Sequence, residues 1–422
     1  MAKNNTSNTG RIFIVEPTLI TKIGHVSQCT YLFAQYSRDI GKEVIIFAPE
    51  SAPSKLKIDE NFVVIRCLPN TYESFLIEGA KFTYNLRILA KILTRFLGKK
   101  YQSKAMFLID RSVWFMFFLS ASKKTFSTLI SEYGINSDDR IIFPNADHLT
   151  LRAILSSLLK MPIESRPTVG LRFINVMENN GIPKILRRNR LFRRIRQTGR
   201  AGLKIDVSAE TEGYRALLSE YMQGTFVCEY PPEKNQNRKS QKKTQMEKGF
   251  VIGALGSARP DKGFTNLRTL APRLLAAYGE KIQIITQEGL NPWGLEYDKT
   301  LAELRSYPKV SVLPSYLPFL EMQEAIDQCD ILLMPYDEGT YEYRGSAMLF
   351  EAADRGIPML VPSKTGLGEV IRKFGIGATF TSESDIIGSL NAILSTDSKV
   401  LKDRFAEYNL YRMQNFEKLI TG

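Results

Sequence analysis

The chain is poor in histidine and cysteine, with two histidines and four cysteines in 422 residues. The cysteines stand at 29, 67, 228 and 329, and no Cys/His spacing reads as a zinc site. Cys67 and Cys329 sit in apolar patterns and read as core thiols, which fits a reducing, cytoplasmic setting. No apolar run reaches the length of a membrane span. The longest, Val113 to Leu119 (VWFMFFL), fits a buried strand or helix segment. The opening MAKNNTSNTGR lacks an apolar h-region, so nothing points to secretion. There is no GxGxxG, which removes the dinucleotide fingerprint.

What is present is length, core-forming residues and positive charge. A chain of 422 residues is long for a single core and about right for two domains. Hydrophobic residues make up 44% and charged residues 24%, as expected of a globular protein. The net charge is +13, which favours an anionic partner: a membrane surface, nucleic acid or a phosphorylated substrate. Much of this charge is clustered. Residues 81–100 (KFTYNLRILAKILTRFLGKK) carry six basic residues and no acid, and Arg87, Lys91, Arg95 and Lys99 form one stripe beside an apolar face. Residues 184–204 (KILRRNRLFRRIRQTGRAGLK) carry nine basic residues and no acid. The first stretch fits an anionic membrane interface or a surface helix packing its apolar side on the sheet; the second fits nucleic acid or a membrane face. Two such stretches in one half favour the membrane. No aromatic platform or known motif points to nucleic acid.

In chain order, Arg11 to Glu16, Glu43 to Pro49, Phe62 to Leu68, Arg140 to Pro144, Pro167 to Phe173, Asp206 to Ala209 and Thr225 to Tyr230 read as strands. A helix over about Ser27 to Ile40 makes the first βαβ crossover of a doubly wound sheet. Ligands of such sheets bind at the carboxyl ends of strands, so Asn145, Asp147, His148 and Arg172 should open on a cleft. Asp147 fits a helix N-cap better than a ligand contact, while His148 also fits a helix-start residue and His25 a surface loop residue. A helix is expected over Glu210 to Met222. The polar, basic segment 233–248 reads as a linker.

Gly249 to Leu255 begins a second sheet and leads into Gly256-Ser257-Ala258-Arg259-Pro260-Asp261-Lys262-Gly263-Phe264, then a helix over Thr265 to Tyr278. Strands are expected at Ile282 to Thr286 and Val310 to Leu313. Leu332 to Pro362 (LLMPYDEGTYEYRGSAMLFEAADRGIPMLVP) reads as strand, loop, helix, strand, with Gly356 and Pro358 as stop chemistry. Arg344, Gly345, Ser346 and Ala347 stand where that helix begins. A helix N-terminus presents unpaired N–H groups and partial positive charge, so the loop fits a diphosphate; it equally fits a plain capped strand–helix unit. Thr365 to Val370 reads as a glycine turn and Asp403 to Ile420 as the last helix.

These last segments resemble the nucleotide-sugar signature of retaining GT-B glycosyltransferases, especially glycosyltransferase family 4. The matching residues are Pro335, Glu351-Ala352, Gly356 and Pro358, together with Arg259 and Lys262-Gly263. The resemblance covers the second half closely and the first half in architecture. It implies a GT-B fold, α/β, with two Rossmann-like doubly wound domains facing a central cleft. Residues 1–232 would form the acceptor-side domain with the basic stretches, 233–248 the linker, 249–403 the nucleotide-sugar domain, and 404–422 a helix packing back on the first domain. Arg259 and Lys262 would grip the donor diphosphate and stabilise the leaving group as catalytic residues. Gly256, Tyr343, Arg344, Gly345, Ser346 and Ala347 would line the donor site, Ser315 and Tyr316 the nucleobase, and Glu351 the ribose. Gly24 and His25 stand where family glycines line the cleft, and Asn145, Asp147, His148 and Arg172 fall in sugar-side or acceptor-side places. The family usually carries two glutamates in a Glu-x7-Glu pattern. The second matches Glu351; eight residues earlier stands Tyr343, with Glu342 one position off.

The reading is therefore a retaining, metal-independent glycosyltransferase without cofactor, since no convincing Asp-x-Asp motif is present. It would move a sugar from a UDP- or GDP-linked donor to a glycan or lipid-linked acceptor in cell-surface polysaccharide or lipopolysaccharide synthesis. Its place would be the cytoplasm, peripheral at the inner face of an anionic membrane, with no nucleic acid partner. The alternatives are a degenerate GT-B subunit that binds a membrane or a partner, and a nucleotide-sugar epimerase. The epimerase needs histidine at the hexose carbon, and neither His25 nor His148 lies in the second half.

Overall fold

The computed structural model describes residues 10–20, 25–54, 56–69, 118–174, 182–232, 249–289 and 294–422. Gly24, the basic stretch 81–100 and the 233–248 segment lie outside the described residues. The chain divides into two compact units: Met1–Ser208 with Tyr221–Thr225 and Leu419–Gly422, and Ala209–Glu220 with Phe226–Lys418.

The first sheet has seven strands: β1 (Ile12–Val15), β2 (Val44–Pro49), β3 (Val63–Leu68), β4 (Arg140–Phe143), β5 (Thr168–Phe173), β6 (Ile205–Ala209) and β7 (Phe226–Val227). Their order is β3-β2-β1-β4-β5-β6-β7. β1 pairs in parallel with both β2 and β4, so Ile12 stands opposite Val44 on one side and Arg140 on the other. All four β1 residues are buried. Both faces of a parallel sheet are covered, which is why IFIV is apolar throughout rather than alternating. The strand order reverses between β1 and β4, the switch point of this sheet.

The basic helix Ile182–Arg200 packs its apolar side within its own unit. Leu191, Phe192 and Ile195 are buried, and the Phe192 ring lies 5.9 Å from Phe173 and 5.4 Å from Tyr221. Arg190, Arg193, Arg196 and Arg200 stay exposed. Among the described residues no helix is long and apolar enough to cross a membrane.

The second sheet has six strands: β8 (Phe250–Ala254), β9 (Ile282–Gln287), β10 (Val310–Leu313), β11 (Ile331–Leu333), β12 (Met359–Pro362) and β13 (Gly377–Phe380). Their order is β10-β9-β8-β11-β12-β13, and the order reverses between β8 and β11. Ile252 stands in register with Ile284 and Ile331 across three parallel strands. These side chains join Leu274, Leu304 and Leu360 in one buried cluster. The last helix, Ser398–Thr421, is anchored by Arg412, which is fully buried. Its Nη1 meets Asp354 at 2.6 Å and its Nε donates to the Tyr230 carbonyl at 2.8 Å. A buried charge is stable only when paired in this way.

Several expected elements differ, and the last helix begins at Ser398 rather than Asp403. The glycine turn expected at 365–370 is the start of a helix, Gly366–Phe374, because Thr365 caps it by accepting the Gly368 N–H at 3.0 Å. The helix expected over 210–222 spans only Glu212–Ser219, because Thr211 is extended and caps it. The strand expected over 225–230 is only Phe226–Val227.

Candidate functional site

The second switch point is built from the loops that follow β8 and β11. The loop after β8 turns through a 3₁₀ segment, Pro260–Lys262, that ends at Gly263 in the left-handed region at φ 69°. A Cβ at Gly263 would stand 1.8 Å from the Pro335 carbonyl oxygen, so only glycine lets the two loops meet. The Asp337 N–H donates to the Asp261 carbonyl at 3.0 Å and closes the join. Gln287, buried at the end of β9, ties a third loop: its Oε1 accepts the Gly256 N–H at 3.2 Å, and its Nε2 donates to the Ser315 carbonyl at 3.4 Å. Tyr316, next to Ser315, is half exposed.

Lys262 is brought to this opening. Its Nζ lies 3.2 Å from where a Gly256 Cβ would be and 5.8 Å from the Tyr336 ring centre. No carboxylate pairs with it among the described residues. Together with Leu255, Gly256, Ser257, Pro335 and Tyr336 it lines a small recess. Arg259, by contrast, is held by Asp261 through two bonds of 3.0 and 2.7 Å, and donates to the Tyr341 hydroxyl at 3.4 Å. Burial first, then Tyr336 and Asp261, push the Tyr341 phenol up, so it stays a neutral hydroxyl. The rings of Tyr336 and Tyr341 lie 4.5 Å apart, and the Tyr336 hydroxyl reaches Ser346 Oγ at 3.3 Å. A cationic recess with hydroxyls on its wall suits an anionic oxygen-rich group.

The helix Ala347–Arg355 begins beside this wall. Ser346 caps it by accepting the Met348 N–H at 3.3 Å. The Gly345 N–H donates to Glu210 Oε2 at 3.0 Å, and a Cβ at Gly345 would stand 2.8 Å from Glu210 Cδ. A protein carboxylate therefore holds the amide that the sequence offers to a ligand anion. Thr211 Oγ1 donates to the Tyr343 carbonyl at 2.9 Å, so residues 210–211 clasp the 343–345 loop from two sides. Arg344 is half-buried, and burial pushes its guanidinium pKa down. Glu342 bonds the Tyr343 hydroxyl and, with burial, pushes that phenol up to about 12. Glu351 Oε2 accepts from Arg355 Nη1 at 2.8 Å and Gln323 Nε2 at 3.3 Å, which fixes its carboxylate on the helix.

In the first unit, Asn145 and Asp147 follow β4 at the other switch point. Asn145 Nδ2 donates to Glu16 Oε2 at 2.6 Å. Asp147 Oδ1 caps the helix His148–Leu158 by accepting the Leu149 and Thr150 N–H groups at 2.8 and 3.0 Å. His148 is the first residue of that helix and half-buried. Arg172 is fully buried, with Nη1 donating to the Pro144 carbonyl at 3.1 Å. His25 is the first residue of the helix His25–Asp39. The structure thus brings Gly256, Lys262, Tyr336 and Ser346 into one chain of contacts. Glu16, Gln287, Glu210, Tyr336 and Tyr341 are additions that sequence spacing alone did not mark.

No protein-family model and no curated protein matches this chain. Solved structures do. A glycosyltransferase from Rickettsia africae is 13% identical with a TM-score of 0.62, covering 98% of this chain and 96% of its own. The trehalose-6-phosphate synthase OtsA is 11% identical with a TM-score of 0.60, covering 97% of both. The α,α-trehalose 6-phosphate synthase of Burkholderia multivorans is 11% identical with a TM-score of 0.57, covering 98% and 94%. At these identities the likeness is one of fold. The chain has the fold of GT-B glycosyltransferases, two Rossmann-like α/β units with parallel sheets of seven and six strands.

Proposed function

We propose that the protein is a retaining glycosyltransferase that transfers a sugar from a UDP- or GDP-linked donor. The observation that carries this reading is Lys262, a cation with no carboxylate partner among the described residues, set at the switch point of the second sheet beside Gly256. The leaving nucleoside diphosphate gains charge as the glycosidic bond breaks. A fixed cation stabilises that charge more in the transition state than in the ground state. Arg259 would assist by exchanging Asp261 for phosphate oxygens. Glu351, fixed by Arg355 and Gln323, would hold the ribose. The trehalose-6-phosphate synthase structure from E. coli is described as bound with UDP-2-fluoro glucose, which supports a UDP-sugar donor here.

The motif resembling family 4 supports retention without a metal and without a side-chain base, the leaving phosphate accepting the acceptor's proton. The acceptor would be a glycan or a lipid-linked sugar in surface polysaccharide synthesis, met by residues of the first unit. The exposed arginines of the helix Ile182–Arg200 support peripheral attachment to an anionic bilayer at its cytoplasmic side. Because Leu191, Phe192 and Ile195 are buried, that attachment would be electrostatic and salt-sensitive.

The test is thermal stabilisation by UDP, GDP and their sugar conjugates, followed by donor turnover and the anomeric configuration of the product. A shift with one nucleotide, lost in Lys262→Ala, supports the reading and names the base. No shift with any nucleotide favours the second reading, a non-enzymatic subunit. Two observations keep that second reading: Tyr343 in place of a glutamate, and Glu210 on the Gly345 amide.

A further inference from the structure

Glu351 and Arg355 stand four residues apart on the helix Ala347–Arg355, in the spacing and order that suit an ion pair. The Arg355 side chain is 4% exposed, and every nitrogen of its guanidinium is engaged. Its Nε donates to Asp327 Oδ1 at 2.7 Å and its Nη2 to Gln323 Oε1. Its Nη1 donates to the Glu351 carbonyl at 2.7 Å and to Glu351 Oε2 at 2.8 Å. Gln323 is buried and turns its Nε2 to the same Oε2 at 3.3 Å. Its amide is thereby oriented, because a flipped Gln323 would set oxygen against the carboxylate and NH₂ against the guanidinium. Gln323 and Asp327 belong to the helix Phe319–Asp327, which follows the loop of Ser315 and Tyr316.

The consequence falls on one carboxylate. Glu351 Oε2 receives two donors, so both of its lone-pair sites are filled. Oε1 accepts no bond among the described residues and is not shut off from solvent. A carboxylate with two open oxygens can meet both hydroxyls of a cis-diol, one on each. A carboxylate pinned through one oxygen cannot turn to do so, and gives one hydroxyl a short, charge-assisted bond. Holding the side chain in place beforehand also spares a ligand the entropy of ordering it.

We propose that Arg355, oriented by Asp327 and Gln323, is a positioning residue that leaves Glu351 one oxygen, Oε1, with which to read a single ribose hydroxyl of a bound nucleotide. Arg355 acts through Glu351 and touches no ligand itself. The inference rests on the reading of the second opening as a nucleotide site with Glu351 at the ribose. It adds that the two ribose hydroxyls contribute unequally, and that Arg355 and Gln323 are the cause.

The experiment is titration calorimetry on the full chain with UDP, 2′-deoxy-UDP and 3′-deoxy-UDP, and with the same three forms of GDP. Wild type, Arg355→Gln and Gln323→Leu are compared. In wild type, loss of one hydroxyl should weaken binding at least about tenfold, as for a bond to a charged group, and loss of the other less than about threefold. Arg355→Gln frees the carboxylate. Its affinity for the complete nucleotide should fall about fivefold, the scale of ordering one side chain. The two deoxy forms should then bind within about twofold of each other, because either oxygen can now meet either hydroxyl. Gln323→Leu keeps the Arg355 pair and opens one site on Oε2, so the inequality should shrink without vanishing. It decides the matter if Arg355→Gln does not fold. A role in helix packing alone would lower the unfolding midpoint and leave the ratio of the two deoxy forms where it was. Equal losses in wild type, or a ratio unchanged in the variants that fold, overturn the proposal and leave the nucleotide site standing. No binding of any nucleotide overturns both.

Discussion

The two sheets share a topology and differ in what they place at its turning point. Between β1 and β4 the loops carry Glu16, Asn145 and Asp147, all rich in acceptor oxygens. Between β8 and β11 they carry Lys262, the hydroxyls of Tyr336 and Ser346, and Arg259 a step behind. Identical backbone logic thus places acceptor oxygens at one opening and a cation with hydroxyls at the other. A handful of loop residues decide which, and the net charge of +13 does not. The largest effect should come from erasing the positive opening. Lys262→Ala should lower donor turnover on the order of 10²–10³-fold, the scale of removing one electrostatic group from a transition state. It should also abolish the UDP or GDP thermal shift while leaving unfolding without ligand unchanged. A shift that survives would break the comparison at once.

The positive opening also depends on close contact between its two loops. Gly263→Ala places a Cβ against the Pro335 carbonyl at a backbone angle of φ 69°. The left-handed conformation alone costs a non-glycine residue about 1–2 kcal/mol, and the contact adds to it. Urea unfolding should show a loss of roughly 2–4 kcal/mol. A neutral result would mean that the loops separate freely and that Lys262 is not fixed.

Much of the second opening was legible because its residues are close in sequence. Arg259, Lys262 and Gly263 lie within five positions, and Ser346 caps the helix that carries Glu351. Gln287 and Glu210 were not legible. Each acts through a contact made only by the fold, across 31 and 135 residues respectively. The strands of both sheets were readable from apolar runs, since buried parallel strands need no alternation. Their ends were less so: Thr211 and Thr365 cap helices whose starts the apolar pattern did not locate. The apolar residues interleaved in the helix Ile182–Arg200 read as facing a membrane, and only packing placed Phe192 against Phe173.

The acceptor-rich opening should reveal itself through pH. Burial raises the Glu16 carboxyl from 4.5 to about 7 in the folded protein. The folded state therefore binds more protons than the unfolded state between those values, and stability falls as pH rises through that window. The contribution is fully present below about pH 4.5 and lost above about 7, and amounts to at most ~3 kcal/mol. Glu16→Gln should flatten the stability profile from pH 4.5 to 7, read by urea midpoints at fixed ionic strength. An unchanged slope would mean that Glu16 is solvated or paired like an ordinary carboxylate, and the contrast between the two openings would lose its acidic side.

The smallest effect on stability is expected where positive charge has no buried role. Arg193 and Arg196 are exposed on the helix Ile182–Arg200. Exchanging both for Gln should change unfolding by less than about 0.5 kcal/mol, as for most surface substitutions. Binding to vesicles containing anionic lipid should nevertheless weaken by about 1 kcal/mol per residue, and wild-type binding should fall as salt is raised. Donor turnover in solution should not move. This separates two uses of positive charge: a fixed, partly buried cation at the β8–β11 opening that acts on one ligand, and a solvated field that acts on a surface. Vesicle binding indifferent to both substitutions and to salt would leave Lys262 as the cation with a specific task and the surface charge as solvation alone.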